Sequence, residues 1–171
     1  KRSLSQAVRP EMEALARETG ESVNLAVPLG REALYLDQVE GTKLVRLFTA
    51  PGSRAPLHAT GVGKVCRAYL GVPEGLSLTP YTPHTLTRLP DLLRELEAVR
   101  GRGYALDNEE KELGVRCVAA PVFGASGGVV AALSLSAPAS RLSLEEAHRL
   151  APRVVEAARR ASLRLGYTGE V

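Results

Sequence analysis

The sequence predicts an α+β domain, a largely antiparallel sheet flanked by helices. Three observations carry this: short runs in which apolar and polar residues alternate, longer runs in which apolar residues recur at helical spacing, and strand-like runs that follow one another across three-residue turns. The 171 residues fit one domain. Hydrophobic residues make up 44 %, enough for a sizeable core, but aromatics only 4 % with no Trp, so that core must be built from Leu, Val and Ala. So few rings supply no stacking platform for single-stranded nucleic acid. A net charge of +3 is also below what a dedicated nucleic-acid binder carries.

The first twenty residues read as a helix, because Leu4, Val8, Met12 and Leu15 share a face and Gly20 supplies a stop. Pro10 either starts its regular part or kinks it. Three strand candidates follow as a meander: "ESVNLAVP", "EALYLDQV" and "KLVRLFT", joined by "LGR" and "EGT". In "PGSRAPLHATGVGKVCRAYLG", Thr60 is placed to cap a helix whose stripe is Val62, Val65, Cys66, Tyr69 and Leu70. A Pro-, Thr- and Gly-rich connection covers 71–88, and Pro90 opens the next helix. Two strands separated by "GASGG" come next. The last helix, 143–165, starts with a capping box of Ser143 and Glu146 and contains Pro152, which predicts a kink.

The strands around "GASGG" suggest a site. Side chains alternate along a strand, so Cys117 shares a face with Val115 and Ala119, and Ser134 with Ser136. A two-residue turn sets Cys117 opposite Ser136; a four-residue loop sets it opposite Ser134. An odd loop or a bulge would break the inference. A thiol and two hydroxyls on an apolar face need partners, water or a ligand. Asp107, near the start of this sheet region, could accept from a ligand hydroxyl or hold a proton once desolvated. A second half-site comes from "HATGVGK": the first-turn amides of Gly61, Val62 and Gly63 favour anions. Together the halves suit a small carboxylate.

Other readings of the same residues compete. A lone Cys on an apolar strand is commonly a small core residue. "GVGK" lacks the full phosphate-loop pattern, which argues against a nucleotide. Glu109, Glu110 and Glu112 read as a solvated turn, and Arg149, Arg153, Arg159, Arg160 and Arg164 as a wet helix face. A thiol-dependent enzyme built on Cys117, His58 and Asp107 is conceivable, but no protease or hydrolase signature surrounds them. Zinc could use Cys66, Cys117, His58 and Asp107, yet no C-x-x-C or H-x-x-x-H spacing supports it. No catalytic residue, metal or cofactor is therefore assigned. Two cysteines in a chain this size indicate a reducing, cytoplasmic compartment. The opening residues are too polar for a signal peptide, and no apolar run is long enough for a bilayer. The chain opens on Lys1 rather than Met and reads as a piece of something longer.

"GYALDNEEKELGVRCVAAPVFG" resembles the signature of the IclR family of bacterial transcriptional regulators, through Gly103, Asp107, Glu110, Cys117, Val118, Ala119, Val122 and Phe123. The position after them, usually Asp or Asn, is Gly124 here. "RAPLHATGVGKVCRAYL", "TGESVNLAVPLGREALYLDQVEG" and "SAPASRLS" resemble further landmarks, so the likeness covers nearly the whole chain. It implies a sensor rather than an enzyme, with a GAF/PAS-like fold. It also implies that residues 1–20 form the linker helix from an absent winged helix-turn-helix, and that 21–171 form the effector-binding domain. The ligand would be a small organic acid held by Gly61, Val62, Asp107, Cys117, Ser134 and Ser136. The partners implied are a second copy, as dimer or tetramer, and operator DNA through the missing domain.

Overall fold

The computed structural model describes residues 3–169; Lys1, Arg2, Glu170 and Val171, at the outer ends of the expected spans 1–20 and 21–171, lie outside it. Four helices surround one six-stranded sheet: α1 (Leu4–Thr19), β1 (Ser22–Leu29), β2 (Glu32–Val39), β3 (Arg54–Pro56), α2 (Gly61–Leu70), α3 (Leu89–Arg102), β4 (Ala105–Asn108), β5 (Val115–Phe123), β6 (Val129–Pro138) and α4 (Leu144–Arg164). The sheet order is β3-β2-β1-β6-β5-β4, and every pairing is antiparallel.

Strand alternation splits the apolar residues into two cores. Val23, Leu25, Val118, Leu133 and Leu135 meet α1 and α4 on one face. On the other, Ala26, Ala105, Ala119 and Ala132 meet Val62, Val65 and Cys66 of α2 and Leu92, Leu96 and Val99 of α3. The strand residues on this second face are small, which lets α2 lie close to the sheet. The expected start signals are present: Ser143 and Glu146 form a reciprocal capping box, and Thr60 accepts the Gly63 N–H. Pro10 and Pro152 lie inside continuous helices.

Three expectations are corrected. Residues 43–49 form no strand; the third strand of the meander is Arg54–Pro56, paired with Glu32–Leu34. "KLVRLFT" has the composition of a strand but buries no face, since Leu44 is 97 % and Val45 69 % exposed. The acidic segment also carries a strand of its own, β4, which lies along β5 at the sheet edge. Nor is the acidic turn simply solvated. Glu110 is buried, and Glu109, held at φ 58°, accepts from Gly114 N at 2.8 Å and pairs with Arg116 at 3.2 Å. The arginines of α4 are largely neutralised at the surface, Arg149 by Glu145, Arg159 and Arg160 by Glu156, and Arg164 by Glu11.

Candidate functional site

The β5–β6 hairpin positions the thiol and the hydroxyls. Its loop is three residues, Ala125–Gly127, closed by the Gly124 N–H donating to Gly128 O at 2.9 Å. One extra residue, Val130, then lies between the pairs Val122–Ala131 and Phe123–Val129. Counted from the turn, the odd loop alone would set Cys117 opposite Leu135, and the bulge alone, on a two-residue turn, opposite Ala137, both on the other face. Together they cancel, and Cys117 faces Ser136, with Ala119 facing Ser134. On the other side of Cys117, its cross-strand partner is Asp107. Asp107, Cys117, Ser136 and Ser134 therefore share the sheet face that looks toward α2.

These groups are wired together. Cys117 Sγ lies 3.2 Å from Ser136 Oγ. The Asn24 amide donates to Ser136 Oγ at 3.1 Å and Ser134 Oγ at 3.3 Å. Gln38 Nε2 donates to Asn24 Oδ1 at 2.7 Å, while Gln38 Oε1 is buried without a partner. Asp107 Oδ1 accepts the Glu110 N–H at 2.8 Å. Asn24, Ser134, Ser136 and Asp107 are all buried, while Cys117 is partly buried.

Helix α2 closes the row from above. A Cβ on Gly61 would sit 3.0 Å from the Ala119 Cβ, so this turn rests on the sheet beside Cys117 and Ser134 more closely than a side chain would comfortably allow. Thr60 Oγ1 takes the Gly63 N–H and Thr60 O the Lys64 N–H. Gly63, one of the three amides expected to be free, is thus spoken for, and the Gly61 and Val62 N–H groups remain as the open donors. The Val62 side chain itself is core. One turn on, Lys64 is fully buried and donates to Glu110 at 2.8 Å and Glu95 at 2.9 Å.

Burial dominates the electrostatics. It pushes the Asp107 carboxyl up to about 7, with the Glu110 charge adding to the rise and the Glu110 N–H and Lys64 opposing it. Burial, reinforced by the Asp107 charge, also pushes the Cys117 thiol well up, so the thiol is neutral. Tyr35 rises for the same reason, with Cys117 and Asp107 as further causes, which places its phenol within electrostatic reach of both. Tyr35, Thr60 and Lys111 also line an open hollow of about 260 Å³ at the amino end of α2.

The structure brings Gly61, Val62, Asp107, Cys117, Ser134 and Ser136 into one region. It does not bring His58 there: Nε2 bonds Thr79 O at 2.8 Å and the ring packs on Tyr81. Cys66 is a free thiol buried in the core beneath α2. Among the described residues no three His, Cys, Asp or Glu side chains converge as a metal would require, and no helix is long and apolar enough to cross a membrane. Asn24, Tyr35, Gln38, Lys64 and Glu110 are the members that sequence reasoning left out. A polar Asn between Val23 and Leu25 was the available signal for the first.

Comparison with known proteins gives a consistent result. The family model "Bacterial transcriptional regulator IclR C-terminal" matches residues 1–163. The HTH-type transcriptional regulator BhcR of Paracoccus denitrificans is 38 % identical over 165 residues, 93 % of this chain and 59 % of its own length. The crystal structure of the Thermotoga maritima IclR superposes with a TM-score of 0.88 at 34 % identity, covering 98 % of this chain and 70 % of that one. The PobR inducer binding domain from Acinetobacter, a double mutant in complex with 3-hydroxy benzoic acid, has a TM-score of 0.83 at 25 % identity over 94 % of this chain and 98 % of that one. The chain thus spans about three fifths of the length of the curated relative.

Proposed function

Since the chain belongs to the IclR family of bacterial transcriptional regulators, matching its C-terminal domain, we propose that it senses a small carboxylic acid and that binding changes how its parent protein holds operator DNA. The observation that carries this reading is the pairing of two open helix amides with a buried polar row. The Gly61 and Val62 N–H groups take the carboxylate, where the helix dipole favours negative charge. Asp107, Cys117, Ser134 and Ser136 orient the rest of the molecule. The complex of the PobR inducer binding domain with 3-hydroxy benzoic acid supports an acid of this class. Helix α1, within the span 1–20, leads from a winged helix-turn-helix in the parent, a reading supported by the fraction of its relatives that the chain covers. The domain pairs with a second copy, as the resemblance implies.

A thiol-dependent enzyme gains nothing from the site. Burial keeps the Cys117 thiol protonated, and its one hydrogen-bond partner is a serine hydroxyl, not a base.

Thermal unfolding with pyruvate, glyoxylate and 3-hydroxybenzoate tests the reading. An acid at a hundred times its dissociation constant adds about 2.7 kcal/mol to the wild type. The Ser134→Ala/Ser136→Ala variant is expected to show no such gain. No stabilisation by any acid across a wider carboxylate panel would sink the proposal.

A further inference from the structure

β2 touches the candidate site with one face and α1 with the other. Gln38 points to the α2 side, where its amide holds Asn24, which in turn holds Ser134 and Ser136. Asp37, the preceding residue, points to the α1 side. Its Oδ2 accepts from Ser5 Oγ at 2.8 Å and from Arg9 Nη1 at 2.6 Å, both on α1. Its Oδ1 accepts the Gln38 N–H at 2.9 Å, so the two residues are joined by a hydrogen bond as well as by the chain. The register between β1 and β2 slips at this place: Leu25 pairs with Asp37 and Ala26 with Tyr35, leaving Leu36 as an extra residue. A bulge is a spot where a strand can re-aim side chains without breaking the rest of its ladder. The unpartnered Gln38 Oε1 lies at the same point.

We propose that Asp37 and Gln38 are positioning residues that couple the polar row to α1. Gln38 follows the state of Asn24 and the serines, and Asp37 passes it to Ser5 and Arg9. The coupling rests on the effector reading for what drives it, but the contacts themselves need no ligand. A change in the serine–Asn24 hydrogen bonds shifts the Gln38 amide, the bulge takes up the displacement, and the grip on the first turns of α1 alters.

Amide hydrogen exchange along α1, on the chain as it stands, decides this. Without ligand, Asn24→Ala is expected to speed exchange of the Val8, Arg9, Glu11 and Met12 amides of α1 by about twofold or more, the scale of mutational coupling between linked sites. Amides of α4 should keep their rates, which separates coupling from general loosening. In the Asp37→Asn background the Asn24→Ala effect should vanish. If Asn24→Ala does not fold, Gln38→Met removes the same link. Unchanged α1 rates in both pocket-side variants, or an undiminished effect when Asp37 is Asn, overturns the coupling. With an acid identified by thermal shift, the same α1 amides should respond in the wild type and not in Asp37→Asn. An acid that binds yet leaves α1 unchanged also overturns it. Absence of any acid binding overturns the effector reading alone, and the ligand-free comparison then decides the coupling.

Discussion

Replacing Lys64 with Met is expected to lower stability by about 3–5 kcal/mol, the usual loss when one partner of a buried ion pair is removed. Lys64 has no exposed surface, and its ammonium bridges Glu110 and Glu95. Met fills nearly the same volume, so the loss would come from stranded charge rather than from a cavity. Glu110 would then lie next to Asp107 without the Lys64 charge that acts on both. Urea unfolding gives the measurement, and a second substitution, Glu110→Gln, should recover much of the loss. A drop below about 1 kcal/mol in the single variant would mean that Glu95 and Glu110 find water, and that this part of the site is wetter than its burial implies.

The second large effect concerns protons. Asp107 has an ordinary value of 3.8 and titrates at about 7 in the fold, raised first by burial. Between those values the folded chain keeps a proton that the unfolded chain has released. Stability therefore falls as pH rises through this window, by up to about 1.4 kcal/mol per pH unit, and flattens above it. Glu21 and Asp37 act in the opposite sense. Despite their burial, Arg141 and Lys43 hold the first, and Arg9 and Ser5 the second, below their ordinary values. Their contribution is lost only as pH falls below about 4.5, the ordinary value of the higher of the two, so above that value the slope belongs to Asp107 alone of the three. A carboxylate bound as proposed would add a second negative charge beside Asp107 and so favour its neutral form. Acid affinity should weaken by about tenfold per pH unit above about 7. Asp107→Asn should flatten both profiles. Titration calorimetry from pH 6 to 9 and urea unfolding from pH 4 to 8 would show it; a wild-type affinity flat across the range would mean that acid binding leaves the protonation of Asp107 unchanged.

Local rules made much of this legible. Caps at Thr60 and Ser143, the alternation of β1 and β2, and the shared face of Cys117, Ser134 and Ser136 follow from interactions within a few residues. The hairpin face came out right although the loop is odd and the strand bulged, because the two shifts cancel. What stayed hidden is nonlocal. "KLVRLFT" reads as a strand by composition, but pairing depends on having a face to bury, and β2 found its edge partner in Arg54–Pro56 instead. Lys64 reads as an ordinary surface residue near a helix start. Only the fold brings Glu95 and Glu110, 31 and 46 residues away, to its ammonium. Asn24 and Gln38 likewise acquire meaning from β6, about a hundred residues further along.

One turn of α2 carries three separate demands: Gly61 must rest on Ala119, Gly63 must leave room for Leu57, and Lys64 must meet its carboxylates. During divergence such a turn can hardly change one residue at a time. A larger side chain at Ala119 lifts the whole helix end, amides included, and a smaller one lets it settle. If the proposed acid binds here, the thickness of the sheet residues beneath α2 would work as a gauge for the size of molecule admitted. Relatives that respond to different compounds should then differ beneath this helix, in the small residues of β4 to β6, while the turn above them stays the same.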